Sequence, residues 1–183
     1  CTVGGGKIAR LYQASAQAMG VESPEQRDWV GIHASRLNAQ FMRTLMGDLA
    51  APEIVVDPQA PVPDAAVVFA GGSRPGWSTD YVAVSLAKNV GAKQVINITN
   101  TTHVYDRDPA KDPAAVAYDD ISWEDYLKLI PTEWSPGLST PFDPRAARDA
   151  QAANIDVFIV GSDIANIEKL LSTGSCVGTH IHV

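Results

Sequence analysis

Two glycine loops carry the first chemistry in this sequence. Thr2 and Val3 read as a strand end and run into Gly4, Gly5 and Gly6. Residues 8–19 then repeat Ile8, Leu11, Tyr12, Ser15 and Met19 at helical spacing. A strand end, a glycine loop and a helix N-terminus form an anion site, because unpaired backbone amides and the helix dipole both favour negative charge. The second loop follows the same plan. Residues 65–70 read as a buried strand, and Gly71-Gly72-Ser73-Arg74-Pro75-Gly76-Trp77-Ser78-Thr79-Asp80 leads into a helix over 79–90. Ser73, Ser78 and Thr79 supply hydroxyls there, and Arg74 supplies a planar cation suited to phosphate. Asp80 reads as an acid serving the helix N-terminus.

A third loop follows the β-branched run Val95–Ile98. Thr99 and Asn100 stand where that strand ends, and Asp108-Pro109 and Asp112-Pro113 then force turns. The loop carries Tyr105, Asp106 and Asp108. Ligands of open α/β sheets sit outside the carboxyl ends of the strands, which marks this loop for binding.

Other features are less specific. A Walker loop fails, because its pattern would put Ile8 where Ser or Thr is required. Gly4, Gly6 and Ala9 fit a dinucleotide fingerprint, but the second strand and acid that it requires are replaced by helical sequence. Asp28 lies in the first turns of a helix, where it either faces a ligand hydroxyl or simply serves the dipole. His33 in the same helix reads as an ordinary helix residue. His180 and His182 share one face of a strand expected at a sheet edge over 178–183, a pair that suits a metal, yet no third ligand is evident nearby.

The elements that position these residues alternate. Ser23-Pro24-Glu25-Gln26 opens a helix to about residue 48, with Trp29, Ile32, Leu37, Phe41, Leu45 and Leu49 as its apolar side. A strand is expected at 54–56, before the proline-rich run 58–63. Helices are expected from Ser122 to Leu129, from the Asp143 cap to about Ala153, and from Gly161-Ser162-Asp163 through Leu171, with a strand at 156–160. Residues 131–141 read as a mobile loop. The pattern predicts an α/β fold with a mostly parallel sheet in one domain over residues 1–183.

Bulk properties narrow the partners. A net charge of −7 argues against nucleic acid, which needs a basic face. No segment is long and apolar enough for a membrane span. Cys1 and Cys176 lie at no metal or redox spacing and read as reduced thiols, so a cytoplasmic setting is expected. The opening Cys1-Thr2-Val3-Gly4 suggests that a natural chain extends upstream.

Together the motifs resemble the amino-acid kinase superfamily. They are Val3-Gly-Gly-Gly-Lys-Ile-Ala-Arg10, the loop Gly71–Asp80, Ile98-Thr99-Asn100, Val104-Tyr105 with Asp108-Pro109 and Lys111-Asp112-Pro113, Asp143-Pro144-Arg145-Ala146-Ala147 and Gly178-Thr179-x-Ile181. In order and spacing they are most similar to the archaeal-type uridylate kinases. The resemblance implies a three-layer α/β/α sandwich whose first strand and first glycine loop are missing from this sequence. It implies Mg²⁺-dependent transfer from ATP to UMP and a homo-oligomer, commonly a hexamer. By position, Gly5, Asp28, Ser73, Arg74, Pro75, Gly76, Trp77, Ser78 and Thr79 would bind UMP. Gly6, Arg10, Thr99, Asn100, Tyr105 and Asp108 would bind ATP, and Asp143 would be catalytic. No residue is assigned to a metal.

The chain departs from the family where Thr102 and His103 replace an Asp-Gly pair and where Trp77 adds bulk to the acceptor loop. Other acceptors within the superfamily, such as a carboxylate, carbamate or isoprenoid phosphate, are the nearest alternatives. A non-catalytic ATP-binding relative of the molybdenum storage type is another. A dinucleotide oxidoreductase rests on Gly4, Gly6 and Ala9 alone.

Overall fold

The computed structural model describes residues 1–132 and 140–183, so most of the loop expected over 131–141 lies outside the described residues. The chain forms two compact units, Cys1–Gly91 and Ala92–Val183. Among the described residues, no helix is long and apolar enough to cross a membrane.

Unit 1 is built on helices α1 (Gly6–Ala18), α2 (Pro24–Met46) and α3 (Thr79–Val90). Local chemistry sets their ends. Ser23 and Ser78 cap α2 and α3 by accepting the amides of Gln26 and Tyr81. α3 stops at Gly91, whose φ of 70° lies in the left-handed region that glycine tolerates. The strands expected at 2–3, 54–56 and 65–70 are reduced to isolated parallel bridges, Thr2 with Ala70, Val55 with Ala70 and Ala50 with Val67. Segment 67–70 supplies a partner in all three. Ala70 lies between two partners and gives each a single bridge, while its amide bonds the Cys1 carbonyl at 2.8 Å.

The same segment alternates its side chains as an extended chain must. Val67 and Phe69 join Ala39 of α2, Ala50 and Met46 in one cluster. Val68 and Ala70 join Val55, Val62 and Leu86 of α3 in another. Helices therefore cover both faces of the short parallel layer.

The inward face of α2 differs from expectation. The helix buries Ile32, Ala34, Ser35 and Ala39, whereas Leu37, Phe41 and Leu45 stand 62%, 61% and 64% exposed. The cause is the glycine loop beside it. A Cβ on Gly71 would lie 2.9 Å from the Arg36 Cα, and one on Gly72 would lie 2.9 Å from the Ser35 Oγ. So close an approach sets the loop backbone against Ile32, Ser35 and Arg36, and this face packs inward in place of the stripe Leu37, Phe41 and Leu45. The stripe expected on α1 is likewise outward, with Ile8, Leu11, Tyr12 and Met19 exposed and Ala9 buried.

Unit 2 contains β1 (Gln94–Ile98), β2 (Val104–Tyr105), β3 (Ala117–Tyr118), β4 (Asp120–Ser122), α4 (Trp123–Leu129), α5 (Pro144–Ala152), β5 (Asp156–Val160), α6 (Ile164–Thr173) and β6 (Gly178–His182). The main sheet has the order β1-β5-β6-β4, while β2 and β3 pair separately. β1 with β5 and β4 with β6 run parallel, and β5 with β6 antiparallel. β6, expected at an edge, is an inner strand. The three-residue β4 covers it, and a strand so short gives no periodic signal.

Below the sheet, Trp123 donates its indole N–H to the Ile155 carbonyl at 3.2 Å. The Tyr126 hydroxyl both accepts from the Phe142 amide and donates to its carbonyl, each at 2.9 Å. Trp123, Tyr126 and Phe142 are buried, and each such side chain stabilises by about 1.5–3 kcal/mol. On the other side, Phe158, Val160 and Leu170 of α6 form a core with Ile96 and Ile167.

Candidate active site

In unit 1, α2 supports both glycine loops. Asn38 donates its amide to the carbonyls of Gly4 and Gly5, at 2.9 and 3.2 Å. Gly5 also nests on the helix, where a Cβ would lie 3.3 Å from the Gly31 carbonyl. Ser35 accepts the Gly72 amide at 2.7 Å and donates to the Ile32 carbonyl. Arg36 reaches along the second loop, with Nε bonding the Gly72 carbonyl at 2.9 Å and Nη2 the Ser73 carbonyl at 2.8 Å. Sequence reasoning missed Ser35, Arg36 and Asn38. They are polar groups in mid-helix, off the expected apolar stripe, and only the folded loops show what they serve.

The residues expected at UMP come together. Asp28 accepts the Gly76 amide at 2.7 Å, which ties the start of α2 to the loop 73–79. Gly76 has φ of 77°, and Trp77 closes a turn by donating its amide to the Arg74 carbonyl at 3.2 Å. The Arg74 guanidinium lies 4.2 Å from the centre of the Trp77 ring and 3.9 Å from Asp57. Trp77, the added bulk, thus helps hold the loop's cation. Ser73 is buried, Ser78 caps α3 and Thr79 begins it, so the loop ends on a helix N-terminus able to take an anion. The first loop adjoins it, since a Cβ on Gly4 would lie 3.7 Å from the Thr79 hydroxyl. Gly6 has φ of 57° and opens α1, on which Arg10 is exposed.

In unit 2, the carboxyl ends of β1 and β5 are neighbours, and the Thr99 amide bonds the Val160 carbonyl at 2.9 Å. Thr99 in turn bonds the Asn100 side chain at 3.2 Å. Thr102 lies over Gly161, where a Cβ would meet its Cγ2 at 3.1 Å. His103 bonds the Thr102 hydroxyl at 3.0 Å, approaches Asp119 at 3.3 Å and meets the Tyr105 ring edge-on at 6.2 Å. In place of Asp-Gly, the chain has built a local polar cluster.

Asp108 turns into its own loop, where it accepts the Ala110 amide at 3.0 Å and pairs with Lys111 at 3.3 Å. The amide first and Lys111 second hold its carboxyl below the usual carboxylate range. Arg107 does the same for Asp106.

Asp143 caps α5. Its Oδ1 accepts the amides of Arg145 and Ala146, both at 2.7 Å, and only 4% of the residue is exposed. The Tyr126 clamp on Phe142 fixes the residue before it.

Residues 2–161 match the amino acid kinase family. The uridylate kinase of Methanosarcina barkeri is 34% identical over 173 residues, covering 92% of this chain and 74% of its own length. That of Methanoculleus marisnigri is 32% identical over 182 residues, covering 97% and 77%. The crystal structure of uridylate kinase from Archaeoglobus fulgidus superposes with a TM-score of 0.84 at 34% identity, covering 98% of this chain and 82% of that one. The expected amino-acid kinase-like α/β fold is therefore the observed one. With its glycine loops, its capped Asp143 and this extent of likeness, the chain belongs to the amino acid kinase family.

Proposed function

We propose that this chain is a cytoplasmic UMP kinase, a phosphotransferase that moves the γ-phosphoryl of ATP to UMP and yields ADP and UDP. The observation that carries this reading is the likeness to archaeal uridylate kinases along almost the whole chain.

Phosphoryl transfer asks a protein to hold two anions in line and offset charge in the transition state, and it needs no protein nucleophile. In unit 1, Gly5, Asp28 and the loop Ser73–Thr79 hold UMP. The amides and hydroxyls of that loop and Arg74 take its phosphate, and Asp28 takes its ribose while it fixes Gly76. Gly6 and Arg10 serve the ATP phosphates. In unit 2, Thr99, Asn100, Tyr105 and Asp108 serve the nucleoside part of ATP, and Asp143 orders the groups around the transferring phosphoryl.

Mg²⁺ would accompany ATP. Among the described residues, no group of three carboxylates forms a cage for it, as the one metal-like cluster contains two imidazoles. Mg²⁺ is ordinarily held through substrate phosphates, and binding and orienting the two nucleotides fall to the chain's own residues.

The experiment is ADP release with ATP and a panel of acceptors, UMP, CMP, acetylglutamate, carbamate and isopentenyl phosphate. A strong preference for UMP is expected, and preference for another acceptor overturns the assignment. Asp28→Ala is expected to raise KM for UMP about tenfold with little change in KM for ATP, since it removes one charge-assisted contact. A rise in KM for ATP instead would reverse the two sites.

The enzyme is proposed to be a homo-oligomer, hexameric as the family resemblance implies. The exposed stripe Leu37, Phe41 and Leu45 on α2 supports this, because apolar side chains in a row mark a contact surface. Light scattering on a sizing column should give a multiple of the chain mass, and Phe41→Lys should lower it. A monomeric wild-type protein rules the assembly out.

A further inference from the structure

β6 carries His180 and His182 two residues apart, on the face opposite the fully buried Thr179 and Ile181. Its neighbours complete a set. Parallel pairing puts Asp120 of β4 opposite His180. Antiparallel pairing puts Phe158 of β5 opposite His180, and the two rings stack at 4.4 Å. Asp156, two residues before Phe158, shares that face.

The geometry converges on one point. Asp120 Oδ1 lies 2.8 Å from His182 Nε2, and Asp120 Oδ2 lies 3.6 Å from His180 Nδ1. One ligand atom from each of the three residues lies within 4.8 Å of the others. The remaining ring nitrogens are engaged. His180 Nε2 is 3.1 Å from Asp156 Oδ2, and His182 Nδ1 is 2.8 Å from the Val183 carbonyl. Both partners only accept, so these two nitrogens carry hydrogen. In the neutral rings, His180 Nδ1 and His182 Nε2 are then lone pairs, and they face a carboxylate that also only accepts. A metal ion among these three atoms would take the place of the ring proton that otherwise bridges His182 Nε2 and Asp120.

We propose that Asp120, His180 and His182 bind a divalent first-row transition ion of the zinc class, with Asp156 as the positioning residue behind His180. Two imidazoles and a carboxylate suit Zn²⁺, Co²⁺ or Ni²⁺, whereas Mg²⁺ and Ca²⁺ take oxygen ligands. Bonds of about 2.1 Å set tetrahedral ligand atoms about 3.4 Å apart, and the two Asp120 oxygens stand 2.8 Å from His182 Nε2 and 3.6 Å from His180 Nδ1 respectively. The Asp156–His180 contact is the carboxylate–imidazole arrangement that orients metal-bound histidines. The side chains of His180, His182 and Asp120 are 33%, 35% and 65% exposed, which leaves the ion a way in and a position for water. None of these residues is assigned to UMP or ATP. An ion at this point would tie β4 to β6, whose pairing spans three residue pairs.

The test uses the full chain after chelator treatment. Calorimetric titration with ZnCl₂ should give one ion per chain, and Co²⁺ should give the visible bands of a four-coordinate site. Zn²⁺ should raise the melting temperature. His182→Ala should weaken Zn²⁺ binding more than about 100-fold, and Asp156→Asn should weaken it about 10- to 100-fold at unchanged stoichiometry. Cys1→Ser, which removes a rival thiol, should change nothing. Millimolar Mg²⁺ should not compete. Absence of stoichiometric Zn²⁺ and Co²⁺ binding by the unaltered chain overturns the proposal. So does binding that survives His182→Ala, is lost in Cys1→Ser, or yields to Mg²⁺.

Discussion

Asp143→Asn should lower kcat by about 10²- to 10³-fold while leaving both KM values and the stability of the fold nearly unchanged. Asp143 has two candidate jobs, and this substitution separates them. One job is visible, since its Oδ1 accepts the amides of Arg145 and Ala146 at the start of α5. Asn caps a helix about as well as Asp, so that job survives the change. The other job is the proposed one, in which the negative charge orders the groups around the transferring phosphoryl. Asn has no charge, and this job is lost. Asp143→Ala removes both, and should add a loss of about 1 kcal/mol in stability to the kinetic defect. Steady-state kinetics beside urea unfolding measures the pair. If Asp143→Asn turns over within threefold of the unaltered chain, the charge has no catalytic role and the residue leaves the mechanism.

The same contrast between local and distant causes explains what the sequence disclosed. Helix starts were legible because their chemistry is local. Ser23 and Asp143 were read as caps, and they accept amides two or three residues on, as do Ser78, Ser122 and Asp163 at the starts of the other helices. β1 and β5 were legible as short β-branched runs before polar loops. What stayed hidden was set by partners remote in sequence. The apolar stripe of α2 obeys helical spacing, yet the face that packs is the one the glycine loops can approach. Arg36 and Asn38 gain their meaning from carbonyls more than thirty positions away. β4 is too short to announce itself, and without it β6 reads as an edge. For the same reason Asp120, which lies 62 positions before His182, could not be seen as the missing third ligand of the histidine pair.

The site residues divided along similar lines. Gly76 and Asp28 were both legible as single candidates, one through the family resemblance and one as a first-turn acid. Their mutual bond was not, although it gives Asp28 a structural duty besides any contact with ribose. The tenfold effect expected of Asp28→Ala therefore has two sources, lost ligand contact and a loosened Gly76. Asp28→Asn divides them, because its side-chain oxygen still accepts the Gly76 amide while its charge is gone.

Gly71→Ala should cost about 1–3 kcal/mol of stability and raise KM for UMP together, because one methyl group pushes the acceptor loop off its support. The new Cβ would lie 2.9 Å from the Cα and 3.0 Å from the backbone nitrogen of Arg36. Backbone atoms in mid-helix cannot swing aside as a side chain can, so the loop or α2 must shift. Either shift lengthens the Arg36 bonds to the Gly72 and Ser73 carbonyls and the Ser35 bond to the Gly72 amide, now 2.9, 2.8 and 2.7 Å. Those three bonds set where Ser73 and Arg74 stand. Gly91→Ala is the control, since that glycine has φ of 70° and open space around its missing Cβ. It should cost about 1 kcal/mol through backbone strain alone and leave KM for UMP unchanged. Urea midpoints and acceptor titrations of the two variants measure the difference. Equal KM values in both would mean that α2 does not position the acceptor loop, and the positioning role of Ser35 and Arg36 would fall with it.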